Sequence, residues 1–126
     1  MAVSTDTVVV CGVEELPPGG RKLVEVGPFG VGVFNVKGNY YALTNYCPHR
    51  GGPLCKGEIS GTTELTSDNR VVWDHQGEVL RCPWHNWEFA IQTGRTLSEP
   101  VKRVKMYPVS VEAGKVVLRI GVRGNA

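Results

Sequence analysis

The sequence predicts an all-β domain, and three observations carry that prediction. Short β-branched and aromatic runs dominate, broken at close intervals by Gly, Pro and Asn. The 16 Gly and 8 Pro among 126 residues imply many turns, which favour short strands over long helices. No repeat, low-complexity tract or linker divides the chain, and this length suits one domain, 1–126, with a buried core.

Residues 7–11 read as a first strand, and 13–16 as a single helical turn that Pro17-Pro18-Gly19-Gly20 stops. Strands follow at 21–26 and 30–36, separated by Gly27-Pro28. Lys37-Gly38-Asn39 reads as a hairpin turn into a strand at 40–44. Residues 45–53 hold a Cys, a His, two Pro and two Gly, the composition of a loop. The stretch 57–69 is polar and poorly patterned. Residues 70–74 and 78–82 read as a second hairpin, closed by His75-Gln76-Gly77 with Gly in a left-handed position. A short strand at 87–91 ends in a turn at Thr93-Gly94. A last hairpin pairs 105–111 with 115–120 across Glu112-Ala113-Gly114.

Composition narrows the function classes. Net charge is +2 and no basic stripe appears, so neither nucleic acid nor an anionic membrane is called for as a partner. The cluster Lys102-Arg103-Val104-Lys105 reads as a solvated strand edge. No apolar run approaches the length of a membrane span, and the first residues lack the basic start and apolar stretch of a secretory signal. The expected setting is the cytoplasm, where thiols stay reduced unless they bind metal.

Chemistry concentrates in two loops beyond strand ends. One holds Cys47-Pro48-His49, the other Cys82-Pro83-Trp84-His85, with 32 residues between His49 and Cys82. Two of the three histidines in the chain fall in these motifs. Each pair puts a thiolate and an imidazole on one tight loop, so two loops can supply four metal ligands. A single Cys or His carries little weight, because buried cysteines usually act as small hydrophobes. Two such pairs point to metal. A four-ligand zinc site in an interaction module is the competing reading, since two Cys and two His suit zinc. Its weakness is spacing: zinc motifs commonly place two or more residues between paired ligands, and Cys47 and His49 have one.

The two segments resemble the paired cluster-binding boxes of the Rieske family, Cys-x-His followed by Cys-x-x-His. The resemblance extends to Pro48, Arg50, Gly51, Gly52, Trp84, Trp87 and Phe89, and more loosely over the domain to Ile120. Asn86 departs from it, standing where Gly is usual; Asn also tolerates a left-handed backbone. The stretch 56–79 is longer than in the smallest ferredoxins of the family and implies an added hairpin.

The resemblance implies one 2Fe-2S cluster, with Cys47 and Cys82 on one iron and His49 and His85 on the other. It implies a fold of three antiparallel sheets, with a cluster-binding subdomain of about 45–100 set into a β-sandwich base of 1–44 and 101–126. It also implies that a loop near Ser98-Glu99-Pro100 helps cover the cluster. Two thiolates and two neutral imidazoles leave the oxidised core formally neutral, which raises the potential above all-cysteine ferredoxins. The family's high-potential branch adds a disulfide at positions held here by Gly52 and Trp84, and hydroxyls at positions held by Trp87 and Phe89. Fewer hydrogen bonds to sulfur imply a low potential, roughly −150 to 0 mV.

Cys11 and Cys55 are expected to be plain thiols, and His75 an exposed turn residue. Arg50, Trp84 and Trp87 are candidates for a docking surface, with a solvated loop residue (Arg50) and water-shielding of the cluster (the tryptophans) as the alternative roles. Little chain remains for a substrate pocket or a second metal triad, so the expected role is an electron carrier and not an enzyme. The implied partners are a flavoprotein reductase and a terminal oxygenase or similar acceptor. A small subunit of an NADH-dependent nitrite reductase is the alternative.

Overall fold

The computed structural model describes residues 5–48, 51–83, 87–97 and 101–122. They form ten strands in three antiparallel sheets. The first sheet is ordered β1 (Thr5–Gly12), β10 (Lys115–Val122), β9 (Val109–Glu112). The second runs β2 (Arg21–Val24), β3 (Val31–Val36), β4 (Asn39–Thr44), β8 (Met106–Tyr107). The third runs β5 (Glu58–Leu65), β6 (Val71–Arg81), β7 (Glu88–Ala90). Two single-turn 3-10 segments, Val13–Glu15 and Leu54–Lys56, complete the regular structure. No helix among the described residues is long and apolar enough to cross a membrane.

The second sheet lies at the centre, because β3 is buried along its whole length. Alternate side chains on a strand point to opposite faces. Val31 and Val33 accordingly pack with Cys11, Leu16, Ala42, Val116 and Leu118, a core shared with the first sheet. Phe34 and Val36 point the other way and pack with Leu43, Leu54, Cys55, Leu80, Phe89 and Ile91, a core shared with the third sheet. β3, with Ala42 and Leu43 of β4 beside it, therefore ties the two cores together. Asn35, 4% exposed, fixes the start of the next turn: its amide donates to Leu16 O at 2.8 Å and its Oδ1 accepts from Gly38 N at 2.8 Å.

Lys37 and Gly38 make the turn between β3 and β4 at φ 54° and 96°, the left-handed pair that a tight hairpin needs. Ala113 and Gly114 do the same between β9 and β10, at φ 52° and 76°.

The polar, poorly patterned stretch 57–69 contains the eight-residue β5, which pairs with β6 as the added hairpin expected within 56–79. Two sequence expectations are corrected. The hairpin expected across His75-Gln76-Gly77 is instead one continuous strand, β6, and that tripeptide is a bulge within it. Ser60 pairs with Val79 and Thr62 with Asp74, so Gly61 alone faces four residues of β6. The chain really reverses at 66–70, where Thr66 N donates to Arg70 O and Asn69 takes φ 65°. Finally, 105–111 is two strands in two sheets. Pro108 has no N–H to continue the ladder, and the chain crosses there from the second sheet (β8) to the first (β9).

Candidate metal centre

β4 delivers the chain into the first loop at Thr44. Asn45 N donates to Gly30 O at 2.9 Å, and the Asn45 Oδ1 accepts from Cys55 N at 2.8 Å. These two bonds pin both ends of the loop. Inside it, Cys47 N donates to Gly52 O at 2.9 Å and Gly51 N to Cys47 O at 2.7 Å. Gly51 takes φ 78°, and a Cβ there would sit 3.0 Å from the Tyr46 ring, so both backbone and space call for glycine. Cys47 ends up 1% exposed.

The second loop joins β6 to β7. Arg81 pairs with Glu88 across the two strands, and Cys82 N donates to Trp87 O at 2.8 Å, closing the loop over 83–86. The Arg81 guanidinium also bridges Glu88 at 2.8 Å and Glu58 at 3.4 Å, tying all three strands of the sheet at this end. Cys82 is likewise 1% exposed. Both cysteines belong to one buried cluster with Leu54, Leu80, Phe89 and Ile91, against which Trp87 packs.

A close backbone approach brings the loops together. Gly57 follows the first loop, and a Cβ on it would lie 1.8 Å from Arg81 O, next to Cys82. Arg21, from β2, donates one Nη1 to Cys55 O at 3.0 Å and also to Gly57 O. Sequence reasoning missed Arg21, Asn45 and Gly57. No local signal marks the first two, and Gly57 stood out only as one glycine among many.

Cys55 is fully buried, its thiol donates to Leu43 O at 3.3 Å, and burial pushes its pKa up to about 12. Cys11 packs in the sandwich core, and burial raises its pKa as well. Each is accounted for by packing within a side-chain core. His75 sits in the β6 bulge with Nδ1 3.2 Å from Glu78 Oε1. Lys37 and His75 hold the Glu78 carboxyl below its ordinary value. No group of three or more Cys, His, Asp or Glu side chains is placed to hold a metal among the described residues. His49, His85, Arg50, Trp84, Asn86 and the loop at 98–100 lie outside the described residues.

What the structure provides is two buried sulfur donors on separate, tightly closed loops of one cluster of side chains. That donor chemistry fits an iron–sulfur group, whose thiolate ligands require deprotonated sulfur screened from water.

The Rieske [2Fe-2S] domain family matches residues 6–108, most of the chain and both loops. The chain belongs to the Rieske family. Two curated relatives of this Rieske protein are dioxygenase ferredoxin subunits. That of 3-phenylpropionate/cinnamic acid dioxygenase from Photorhabdus laumondii is 31% identical over 112 residues, covering 88% of this chain and 91% of its own. That of biphenyl dioxygenase from Pseudomonas sp. (strain KKS102) is 28% identical over 109 residues, covering 86% of each chain. A solved structure, the complex of reduced oxygenase and oxidized ferredoxin in carbazole 1,9a-dioxygenase, superposes with a TM-score of 0.69 at 26% identity. It covers 90% of this Rieske chain and 92% of its own. Membership brings one 2Fe-2S cluster as the cofactor, in place of the zinc alternative.

Proposed function

We propose that Cys47, His49, Cys82 and His85 hold the 2Fe-2S cluster, sulfur on one iron and imidazole nitrogen on the other. On this reading the chain is a one-electron carrier between a flavoprotein reductase and a terminal oxygenase, turning over no substrate itself. The observation that carries it is the burial of Cys47 and Cys82 in one side-chain cluster at the ends of two closed loops. Relatives that are ferredoxin subunits of dioxygenases favour an oxygenase-linked carrier over a nitrite reductase subunit.

When bound, the cluster takes up and releases a single electron. The chain's own residues set the conditions for that. Leu54, Leu80, Phe89 and Ile91 keep water from the two sulfurs, while the Cys47–Gly52 and Cys82–Trp87 hydrogen bonds hold the ligand loops in shape. Phe89 and Trp87 offer apolar surface where hydroxyls would stabilise added charge, which keeps the potential in the lower Rieske range, roughly −150 to 0 mV. We assign 45–100 to the cluster-binding part and 1–44 with 101–126 to its base. The free thiols of Cys11 and Cys55 suit a cytoplasmic, reducing setting.

Anaerobically reconstituted protein should contain iron and acid-labile sulfide in equal amounts and show a Rieske electron paramagnetic resonance signal when reduced. His85→Ala should lose that signal while keeping the strand content of its circular dichroism spectrum. A normal signal in His85→Ala removes His85 from the ligand set, and a midpoint well above 0 mV removes the low-potential assignment.

A further inference from the structure

Beside the first ligand loop lies a surface that the cluster chemistry does not explain. Tyr46 immediately precedes Cys47, and its ring packs on Phe29 with centroids 4.4 Å apart at a 44° tilt. Gly51 backs the Tyr46 ring on the loop side. Both rings are nonetheless exposed, Phe29 at 50% and Tyr46 at 39%. They form a firm apolar shelf in an open hollow of about 340 Å³, lined also by Thr44, Pro48, Arg103 and Lys105.

The rim of this hollow is basic in a way that folding does not require. Arg103 and Lys105 line the hollow, with Arg95 bridged to Arg103 and Lys102 preceding it in the chain; all four are exposed, and none meets a carboxylate among the described residues. Arg95 and Arg103 stand directly opposite each other in an antiparallel bridge, an arrangement of like charges that costs stability. Lys105 holds its ammonium 5.0 Å from the centroid of the Tyr107 ring. Among the described residues the ion pairs lie instead around the third sheet, where Asp68, Glu58, Glu78 and Glu88 meet Arg70, Arg81 and Lys37. Charge is segregated: residues 58–90 carry six carboxylates against Arg70 and Arg81, whereas the described charged residues lining the hollow beside Cys47 are basic.

We propose that the Phe29–Tyr46 shelf and its basic rim are the docking face for an acidic redox partner protein. Such a partner seats an apolar patch on the two rings and sets carboxylates against Arg103, Lys105 and their neighbours. This rests on the carrier reading above and adds the chemistry of the partner surface. An apolar centre with a complementary charged rim divides the labour: the rim steers encounter and fixes orientation, and the rings supply desolvated contact. Docking here brings a partner within one peptide unit of a proposed cluster ligand.

The test uses cluster-loaded protein and two cytochromes of opposite surface, one with its haem edge ringed by carboxylates and one ringed by lysines. Affinity is measured by titration calorimetry, which does not depend on electron transfer and so separates failure of docking from failure of the carrier reading. The carboxylate-ringed cytochrome should bind at least about tenfold tighter at ~20 mM than at ~300 mM salt, as expected for screened charge complementarity. The double variant Arg103→Glu/Lys105→Glu should lose about tenfold at low salt. Phe29→Ser should weaken binding several-fold at both salt concentrations, and all variants should keep the wild-type visible spectrum. Preference for the lysine-ringed cytochrome, or wild-type affinity in the charge-reversed variant, overturns the proposal. So does self-association that Phe29→Ser abolishes, which would assign the shelf to a second copy of this chain.

Discussion

Two side chains away from the proposed ligands show how the site's surroundings are held. Cys55 touches both the first ligand loop and β3: its N–H bonds to Asn45, and its sulfur lies where any Cβ on Gly32 would come within 2.6 Å. Its thiol pKa rises from 9.0 to about 12 through burial, so the folded protein holds this proton more tightly than the unfolded chain does. The resulting stability is complete below the unfolded value and is lost as pH rises through the folded one. The full span is on the order of 4 kcal/mol, and about 2 kcal/mol of it should vanish between about pH 8 and pH 10.5. Anaerobic urea unfolding at the two pH values measures this. The Cys55→Ala variant should lack that share of the slope, and equal slopes would show that the thiol ionises as freely folded as unfolded. Asn35 is the second case. Truncation to Ala strands the buried Leu16 O and frees the exposed Gly38 N to water, each bonded at 2.8 Å. A stranded buried group costs about 1–3 kcal/mol. A fall of about 2 kcal/mol in unfolding free energy, with unchanged iron content, is the expected result at this position.

At the scale of elements, Gly57, just before β5, and Gly61, within it, have different jobs. A Cβ at Gly57 would meet Arg81 O at 1.8 Å, directly beside Cys82. A Cβ at Gly61 would meet Asp74 O at 2.5 Å inside the bulge, well along the arm. Gly61→Ala should therefore cost about 1–3 kcal/mol, as overpacking does, and leave the cluster loaded. Gly57→Ala should force the start of β5 away from the end of β6 and lower iron and sulfide per chain, read by metal analysis. Equal iron content in the two variants would mean that the Gly57–Arg81 approach does not position Cys82. The same pair of strands shows what the sequence could and could not disclose. The β3–β4 hairpin was legible because Lys37 and Gly38 announce their own turn. The two Cys–His pairs were legible because each is complete within four residues. His75-Gln76-Gly77 carries turn residues too, yet whether they close a hairpin or bulge out of a strand depends on what pairs opposite. Here it is the match of Ser60 with Val79 and Thr62 with Asp74, a register no local pattern encodes. Pro108 misled for a related reason: its effect is to hand the chain from one sheet to another, which depends on where β4 and β10 lie.

For the whole molecule, the consequence of two cores is that the cluster should stabilise one of them far more than the other. Cys47 and Cys82 belong with Phe34, Leu43, Leu80 and Phe89, whereas the core of Val33, Ala42, Val116 and Leu118 contains neither. Binding energy at a metal centre is folding energy for the elements that converge on it. On the proposed ligand set, stripping the cluster removes the group that the buried Cys47 and Cys82 would hold. The nearest elements are β6, β7 and the 3-10 turn Leu54–Lys56. The pairing of β1 with β10 and of β10 with β9 does not pass through that core. Proteins open in cooperative units of unequal stability, and here the boundary should follow β3, which faces both cores. Hydrogen exchange on loaded and stripped protein reads this directly. Amides of β6 and β7 should lose on the order of 100-fold in protection, while those of β10 should change by less than about tenfold. Comparable losses in β10 would mean that β3 transmits the disturbance instead of confining it, and that the base and the cluster-binding part fold as one unit. Confined loss would explain how the base could stay ordered while the ligand loops wait for iron and sulfide.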